Sequence, residues 1–432
     1  MTASAGKRRV LIIVQNLPVP FDRRVWQEAT TLQQNGYDVS VICPVGRGYT
    51  KRFEVSDGIH IYRHPLPLEA KGAAGYAIEY SLSLFWEFWL ACKVLWQRGF
   101  DAIHACNPPD TIFLIGGFFK LFGKKFVFDH HDINPELYEA KFGRRDIFYK
   151  IMLLCERLTF LTADIVISTN NSYRQIAQQR GNKKASETFV VRSGPDLKRI
   201  KTLPPVLALK HGKQFLVGYL GVMGQQEGIQ YLIEAARYIV FDLKRTDIHF
   251  TLIGAGPSLS HYKNLVKVAG LDEFINFTGH ADDETMLHIL NTADVCVNPD
   301  EVNAMNDKST MNKIMEYMAL GKPIVQFDVT EGRVSAGEAS LYAQANNPQD
   351  MAGKILHLLN NPELRARMGA FGRERVEREL AWPHEAPKLL AAYDNLFATP
   401  LKRPHDSAVQ EDHLVSSPPG SHVRAGGLSS PR

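Results

Sequence analysis

Residues 9–44 read RVLIIVQNLPVPFDRRVWQEATTLQQNGYDVSVICP, and this stretch decides the fold. It opens with an apolar run of strand length at Arg9–Gln15 and closes with a second at Asp38–Pro44. Between them, Arg23–Asn35 has the pattern of a helix, with Asp22 as the N-cap residue. A strand, a crossover helix and another buried strand predict a βαβ unit within a parallel sheet.

The same alternation of strands and helices continues along the chain. In the first half, further strands are predicted at Ala102–Ala105, Lys125–Asp129 and Asp164–Ser168. In the second half, strands are predicted at Phe215–Gly221, Ile248–Gly254, Ile275–Thr278, Asp294–Asn298 and Pro323–Phe327, and helices at Gln230–Val240, His261–Ala269, Met286–Asn291 and Met311–Leu320. This pattern predicts an α/β protein of two doubly wound, Rossmann-like domains that face each other across a cleft.

The chain has 432 residues, a length that suits two domains of about 200 residues each. The predicted boundaries are 8–200 for the first domain and 201–383 for the second, joined near a segment rich in Pro and Lys. Residues 384–398 are expected to form a helix that packs back toward the first domain. The tail 399–432 is rich in Ser, Pro, Gly and His and is predicted to be disordered.

Composition is that of a soluble globular protein, with 45% hydrophobic and 22% charged residues. The formal net charge of +4 is spread unevenly, because residues 1–200 hold 27 Lys and Arg against 19 Asp and Glu. A basic first half is typical of a protein that meets an anionic surface or substrate there, although uneven surface charge explains it equally well. A nucleic-acid binder is disfavoured, because the overall charge is near neutral and no recognised motif is present.

The five cysteines are scattered without metal-ligand spacing, which is typical of a reducing, cytoplasmic compartment. The N-terminal apolar run stops at Gln15, too early for a signal peptide. The segment Tyr80–Trp96 is strongly apolar, but it contains Glu87 and is short for a membrane span. It is interpreted as a packed helix or, alternatively, as a helix lying in the membrane interface with its three Trp side chains at headgroup level.

A cluster of polar side chains follows the predicted strand that ends at Asp129. The sequence there, from Phe128 to Glu136, is FDHHDINPE, and it contains His131 and Asp132. Ligands of open α/β sheets bind at the carboxyl ends of the strands, where a His can hydrogen-bond a hydroxyl or carry a proton. Metal ligation by this loop is conceivable, and so is a purely structural loop that caps the next helix.

A second candidate site surrounds the helix predicted at Met311–Leu320. Ser309 or Thr310 is predicted to cap its N-terminus, whose free N–H groups and positive dipole suit a diphosphate. Lys313 and Glu316 share one face of the helix, where Lys can neutralise phosphate and Glu can accept from a vicinal diol. A simple surface ion pair is the alternative interpretation.

A third candidate site comprises glycine-rich turns after two strands, which can bring backbone amides close to a ligand. The glycines concerned are Gly221, Gly224, Gly254 and Gly256, and Arg192 adds a cation in a further Gly turn. Tight turns alone would also explain them. Neither GxGxxG nor a Walker loop is present, so dinucleotide or ATP binding of the standard kinds is unsupported.

Taken together, these motifs resemble the family-four retaining glycosyltransferases with the GT-B fold. The resemblance is carried by FDHHDINPE, ADIVISTNNSY, VVRSGPDL, LIGAGP, FTGH, ADVCVNPD and KIMEYMALGKPIV, which occur in family order. The opening PFDRRVWQEATTLQQNGYDVSVICP is similar to a subgroup that builds bacterial surface polysaccharides.

The resemblance implies roles for particular residues. His131, with Asp132 beside it, would contact a hydroxyl of the donor sugar, and Glu316 would bind the ribose of the nucleotide. Asp22, Arg23 and Arg24 would lie on the acceptor side. The co-substrate would be a nucleotide sugar, with no cofactor and no metal, and the acceptor a glycan or a polyprenyl-diphosphate-linked glycan, with peripheral association at the inner face of the plasma membrane.

The chain departs from the family pattern at two places. The first Glu of the family's two-Glu motif falls on Lys308, for which Asp307 or Asp300 are possible substitutes. The Arg and Lys that hold the diphosphate in the family fall on Val222 and Glu227. Diphosphate charge would then fall to Lys313, Lys308, Arg192 and the helix N-terminus. A nucleotide-sugar epimerase, another GT-B enzyme and an inactive GT-B scaffold are the alternatives.

Overall fold

The computed structural model describes residues 7–65 and 72–398. The predicted disordered tail, 399–432, lies outside these residues. The elements of the first part are β1 Arg9–Ile13, α1 Arg23–Gln34, β2 Asp38–Pro44, β3 Phe53–Ser56, β4 Ile59–His64, α2 Gly72–Gln97, β5 Ala102–Cys106, α3 Phe113–Lys120, β6 Lys125–His130, α4 Asn134–Phe142, α5 Ile147–Thr162, β7 Ile165–Ser168, α6 Asn171–Gln179 and β8 Thr188–Val190.

The elements of the second part begin after a loop that contains one short 3₁₀ turn, Leu207–Lys210. They are β9 Phe215–Leu220, α7 Ile229–Arg237, β10 Ile248–Ile253, α8 Leu259–Val268, β11 Ile275–Gly279, α9 Asp283–Thr292, β12 Val295–Asn298, α10 Asn312–Ala319, β13 Ile324–Phe327, α11 Thr330–Ala336, β14 Ser340–Ala343, α12 Pro348–Asn360, α13 Pro362–Arg375 and α14 Trp382–Ala398.

Each part forms one twisted sheet covered by helices. The first sheet has eight strands in the order β3-β4-β2-β1-β5-β6-β7-β8, and the second has six in the order β11-β10-β9-β12-β13-β14. All pairings are parallel except that of β3 with β4. The strand order reverses direction at β1 in one sheet and at β9 in the other, and such switch points open a crevice at the carboxyl ends of the strands. The predicted fold class is confirmed.

Most of the predicted elements are confirmed within one or two residues. The Asp22 side chain accepts from the backbone N–H of Val25 and so caps α1 as predicted. The antiparallel hairpin of β3 and β4 was not predicted, and it covers the edge of the first sheet.

The last helix, α14, returns to the first sheet, where it packs against α1, β7 and β8. The buried Tyr393 hydroxyl lies 2.9 Å from Nδ1 of His104 on β5, and the indole N–H of Trp382 donates to the Thr31 hydroxyl at 2.9 Å. The C-terminal helix therefore completes the core of the first sheet and holds the two halves of the chain together.

The apolar segment predicted as a helix forms α2, which packs on β2 and β4. Glu87 is fully buried in this helix, and burial raises the pKa of its carboxyl to about 8. Both of its carboxylate oxygens lack a hydrogen-bond partner among the described residues, so the neutral acid is the form that packs here. None of the helices described combines the length and the apolar character needed to cross a bilayer.

The buried carboxyl of Glu87 predicts a stability that falls between weakly acidic pH and about pH 8. Because its folded-state pKa of about 8 lies above the unfolded value of 4.5, the contribution of Glu87 to stability falls as the pH rises from 4.5 to about 8 and levels off above that. Glu87→Gln keeps a neutral side chain, so its thermal midpoint is expected to exceed that of the wild type at pH 9 by more than at pH 6. Up to about pH 8, the difference in unfolding free energy between the two proteins grows by roughly 1.4 kcal/mol for each pH unit.

The measurement is thermal unfolding of both proteins between pH 5 and pH 9, with Glu363→Gln as the control because Glu363 is exposed. Parallel pH profiles for wild type and Glu87→Gln would contradict a neutral buried carboxyl.

Candidate active site

The carboxyl ends of the two sheets enclose one cleft with a volume of about 780 Å³. His131, after β6, lines it from the first sheet, and Glu316, on α10, lines it from the second. The sequence-predicted residues that line the cleft are Asp22, Arg23, Arg24, His131, Asp132, Gly221, Gly254, Ser309, Thr310 and Glu316. The two side chains on which the sequence argument depends therefore lie on the same cavity.

Asn107, after β5, positions the loop that carries His131. Its side-chain oxygen accepts from the backbone N–H groups of His131, at 2.7 Å, and Asp132, at 3.1 Å. Its amide nitrogen donates to the Asp132 carbonyl at 2.6 Å. Asn107 was not predicted as a site residue, because it lies 24 residues before His131 and only the pairing of β5 with β6 brings the two together.

A buried charge network lies beneath His131. The Arg24 guanidinium donates to both carboxylate oxygens of Asp129, at 2.7 and 3.1 Å, and lies 3.0 Å from Glu28. Burial alone would raise the pKa of Asp129, but the charge of Arg24 and hydrogen bonds from His131 and His104 hold it well below its usual range. Burial raises the pKa of Glu28 well above its usual range, so the network carries one carboxylate for one guanidinium.

This network fixes the orientation of the His131 ring. Nε2 of His131 contacts the Asp129 carboxylate and lies 2.9 Å from Nε of Arg24. Nδ1 is therefore the ring nitrogen that remains for a ligand in the cleft.

Two sets of side chains in this network have donor atoms within 4.8 Å of one another, as metal ligands would. They are His104, Cys106 and Asp129, and Glu28, Asp129 and His131. Both sets share Asp129, whose two oxygens are already bonded to Arg24. We therefore assign the positive charge that neutralises Asp129 to the Arg24 guanidinium. The expectation of a metal-independent reaction stays a prediction.

Glu316 is held by two arginines. Its carboxylate accepts from Arg199 at 2.6 Å and from Arg23, on the opposite wall, at 3.5 Å. The same two arginines also bond Asp283, at 2.9 and 2.8 Å. Arg199 was not predicted, and it belongs to the segment that connects the two sheets. This cluster of two cations and two anions spans the mouth of the cleft.

Lys313 is buried behind the cleft wall and is neutralised by two carboxylates. Its ammonium lies 2.8 Å from Asp300 and 2.8 Å from Glu227. Burial raises the pKa of Asp300 to about 7, against the opposing charge of Lys313. Glu227 occupies the position where the resemblance expects a Lys. Because Glu227 and Asp300 both pair with Lys313, the positive charge of Lys313 is neutralised inside the wall of the cleft.

The cations that line the cleft all come from the first sheet and its helices. Within the described residues, the Lys and Arg side chains lining it are Arg23, Arg24 and Lys141. The second sheet contributes the carboxylates of Glu227, Asp283 and Glu316. Asp22 and Asp132 of the first domain also line the cleft, so carboxylates occur on both walls and the Lys and Arg side chains on one wall only.

The N-terminus of α10 faces the cleft through Thr310, Met311 and Asn312, which line it. Ser309 and Thr310 were predicted to cap this helix, and that prediction is wrong, because the N-cap is Met311 and no side chain caps the helix. The two hydroxyls instead bond across the cleft, Ser309 with Tyr173 at 2.9 Å and Thr310 with Asn170 at 3.0 Å. The free N–H groups at the start of α10 stay available to a ligand.

The remaining predicted residues lie around the cleft without lining it. They are Gly224, Gly256, Asp300, Asp307, Lys308, Lys313 and Arg192. Asp307 accepts from the backbone N–H of Thr330 at 2.8 Å, and Arg192 lies between Thr310 and Glu331, 3.5 Å from each. Their assignment to donor binding stays a prediction.

The glycine-rich turns pack tightly against one another. At Gly254, where φ is +138°, a Cβ atom would lie 1.8 Å from the Gly221 carbonyl oxygen. Only glycine satisfies both the backbone conformation and this approach. The two loops after β9 and β10 consequently form a continuous floor beneath the cleft.

Comparison with known families agrees with this architecture. Residues 22–194 match the family described as "Glycosyl transferase 4-like domain", and residues 214–361 match "Glycosyl transferases group 1". An uncharacterized glycosyltransferase of Methanocaldococcus jannaschii is 21% identical over 376 residues, which are 84% of this chain and 91% of that protein.

Solved structures share the fold. Sucrose-phosphate synthase from Thermosynechococcus elongatus superposes with a TM-score of 0.74 at 20% identity, covering 91% of this chain and 100% of that one. HepE of Anabaena, solved with UDP-glucose, gives a TM-score of 0.68 at 14% identity over 89% of this chain and 99% of that one.

The fold and the cleft between two parallel sheets define the chain as a protein of the GT-B class. It belongs to the glycosyltransferases, with a 4-like domain first and a group 1 domain second.

The buried position of Lys313 predicts a structural cost for its loss. Lys313→Met leaves Asp300 and Glu227 without their cation, and breaking a buried pair in this way costs about 3–5 kcal/mol. Thermal or urea unfolding is expected to show this loss, and Asp300→Asn, which removes one carboxylate and keeps the cation paired with Glu227, should cost less. Wild-type stability in Lys313→Met would contradict the assignment of Lys313 to the wall.

Proposed function

We propose that the protein is a retaining glycosyltransferase that moves a sugar from a nucleoside-diphosphate sugar onto a glycan or lipid-linked glycan acceptor. The placement of His131 and Glu316 on opposite walls of one cleft is the observation that carries this proposal. The opening motif around Asp22–Arg24 favours a role in assembling bacterial exopolysaccharide, capsule or O-antigen. We place the reaction in the cytoplasm, at the inner face of the plasma membrane.

On the donor side, Glu316 binds the vicinal hydroxyls of the ribose. Its carboxylate is now bonded to Arg199 and Arg23, so the nucleotide takes the place of at least one arginine. Arg23, whose side chain is 52% exposed, is the freer of the two, and its release places a cation beside the diphosphate.

The diphosphate lies at the N-terminus of α10. The free N–H groups there and the helix dipole stabilise the negative charge that develops as the sugar leaves. This placement makes up for the absence of family cations at Val222 and Glu227, because Arg23 approaches from the opposite wall.

The chemical step breaks the bond between C1 of the sugar and the diphosphate oxygen, which keeps the electron pair. An acceptor hydroxyl attacks C1 from the same face, and its proton passes to the departing phosphate oxygen. Nδ1 of His131 hydrogen-bonds a hydroxyl of the sugar ring, and its orientation is maintained by Asp129. Side-chain cations and backbone amides thus stabilise the leaving group.

Contacts between the two domains exclude water from this step. The Ser172 hydroxyl donates to Glu331 at 2.7 Å, and the Asn170 amide donates to the Lys308 carbonyl at 2.8 Å. These bonds connect the start of α6 to the second domain next to α10. Opening and closing about the connecting segment admits donor and acceptor and then assembles the site.

A screen of UDP-, GDP- and TDP-sugars by thermal shift tests donor binding. A donor at 100 times its Kd is expected to stabilise the protein by about 2.7 kcal/mol. Glu316→Gln should weaken this stabilisation, because a neutral amide is a poorer acceptor for ribose hydroxyls than a carboxylate. The same shift in wild type and Glu316→Gln would contradict the ribose assignment.

His131 is tested by turnover with the donor that the screen identifies. His131→Ala should retain nucleotide binding but lower sugar release or transfer roughly 10- to 100-fold, the effect expected from the loss of one strong hydrogen bond. His261→Ala is the matched control, because His261 is exposed on α8 and does not line the cleft. Donor binding without turnover in the wild type would instead favour the inactive scaffold.

A further inference from the structure

A second cavity lies beside the catalytic cleft in the first domain. Its volume is about 390 Å³, within the range of about 300–1,000 Å³ that small-molecule sites occupy. It lies between α2, α4, α5 and the loop that leads into α3. Aliphatic and aromatic side chains form most of its lining.

The helix α5 presents one continuous face to this cavity. Phe148, Ile151, Met152 and Cys155 line it, and their spacing of three and four residues is that of a single helical stripe. Leu154 lies on the same helix with a similar exposure, 55% against 47% for Ile151, but does not line the cavity.

The side chains of Asp110, Asn134 and Tyr138, which border the cavity, are already bonded within the protein, whereas the buried Thr111 hydroxyl has no hydrogen-bond partner among the described residues. Asp110 accepts from the amides of Asn107 at 2.8 Å and Asn134 at 2.7 Å. The Tyr138 hydroxyl donates to Asp146 at 3.0 Å. Most of the interior surface offered to a ligand is consequently apolar, and an apolar chain is the occupant that gives up the least hydration free energy on entering it.

The cavity shares lining residues with a neighbouring cavity at each of its two ends. Leu137 and Lys141 of α4 line both this cavity and the catalytic cleft. At the other end, Ser81, Leu84 and Leu114 are shared with a further cavity of about 340 Å³ between α2 and α3. The two cavities are thus neighbours along α2 and α3, and together they are called the apolar groove, which adjoins the catalytic cleft at Leu137 and Lys141.

The groove opens onto the most apolar part of the surface. Of the 24 large hydrophobic side chains exposed among the described residues, 15 lie between residues 78 and 161, on α2 to α5 and the turns beside them. A soluble protein seldom clusters exposed apolar side chains in this way without a partner for them.

Lys141 lines both the groove and the cleft and carries a positive charge where they adjoin. It is exposed and forms no salt bridge with any residue that the structure describes. A ligand that follows the groove to Lys141 therefore needs a long apolar chain and an anionic group where the chain ends.

We propose that this groove holds the isoprenoid chain of a prenyl-diphosphate-linked acceptor, with Lys141 paired to its diphosphate and its sugar in the cleft beside His131. Lys141 is seven residues beyond the first residue of α4, about 10 Å along the helix axis, and α4 begins directly after the His131 loop. The inference rests on the proposed function, because it assigns the lipid part of the acceptor to a site of its own.

Calorimetric titration of the full chain with farnesyl diphosphate, below its aggregation concentration, tests the proposal. Each buried methylene contributes about fourfold in affinity, so farnesyl diphosphate should bind at least about tenfold more tightly than geranyl diphosphate. Inorganic diphosphate serves as the probe without a chain.

Two matched pairs of variants make the test specific. Ile151→Glu places a charge in the groove, and Leu154→Glu places the same charge on the same helix outside it. Lys141→Gln removes the junction cation, and Lys150→Gln removes an exposed cation from α5 that does not line the groove. Farnesyl diphosphate binding should weaken at least tenfold in Ile151→Glu and Lys141→Gln and stay unchanged in the two controls.

Three results would overturn the inference. The first is equal farnesyl diphosphate affinity in all four variants, and the second is equal affinity for the geranyl and farnesyl compounds. The third is loss of binding to phosphatidylglycerol vesicles in both Ile151→Glu and Leu154→Glu, with farnesyl diphosphate binding intact, because that result makes the surface a general membrane contact.

A nucleotide-sugar thermal shift on the same variants separates the two proposals. If the groove variants keep the donor-induced shift and farnesyl diphosphate does not bind, the groove assignment fails and the transferase proposal stands. If no nucleotide sugar shifts the wild type while farnesyl diphosphate still binds, the transferase proposal fails.

Discussion

The ion pair of Arg24 with Asp129 is the interaction on which the candidate site depends. Both side chains are buried, and the loss of either would leave an uncompensated charge in the core. Arg24 comes from α1 and Asp129 from β6, so the pair fixes the first crossover helix to the strand that carries His131. Nε2 of His104, on β5, lies 3.4 Å from the Asp129 carboxylate, and Nδ1 of the same ring lies 2.9 Å from the Tyr393 hydroxyl on α14. The orientation of one ring nitrogen in the cleft therefore depends on packing that reaches the C-terminal helix.

The distribution of charge across the cleft follows from how each wall is built. In the first domain, Arg23 and Lys141 project from helices into the cleft. In the second, Lys313 is paired with Asp300 and Glu227 inside the wall, and the carboxylates of Asp283 and Glu316 line the cleft. In the proposed reaction, a dianionic diphosphate between these walls would be attracted to Arg23 and Lys141 of the first domain and to the N-terminus of α10, and this attraction would favour domain closure.

The fold was predictable because its determinants are local. The apolar runs that form β1 and β2, the Asp22 cap and the strand ends just before His131 and Gly221 can be predicted from neighbouring residues. The predicted cap at Ser309 or Thr310 was wrong because those hydroxyls bond residues of the other domain, which sequence spacing does not reveal.

The contacts that define the site come from residues far apart in the chain. Arg199 lies 117 residues from Glu316, and Asn107 lies 24 residues from His131. The apolar groove is likewise formed by residues far apart in the chain, because it lies where separate helices meet. In the sequence, only the unusual apolar character of Tyr80–Trp96 indicated it. The substitution of Glu227 for the expected Lys was visible, but its pairing with Lys313 required the structure.

A crystal structure of the full chain with a bound nucleotide sugar tests the central claim most directly. The account predicts the ribose hydroxyls within hydrogen-bond distance of the Glu316 carboxylate, the diphosphate at the N-terminus of α10 and the sugar beside Nδ1 of His131. It also predicts that Arg23 leaves Glu316 for the diphosphate. A nucleotide bound outside the cleft, or one that contacts the second domain with its sugar turned away from His131, would contradict it.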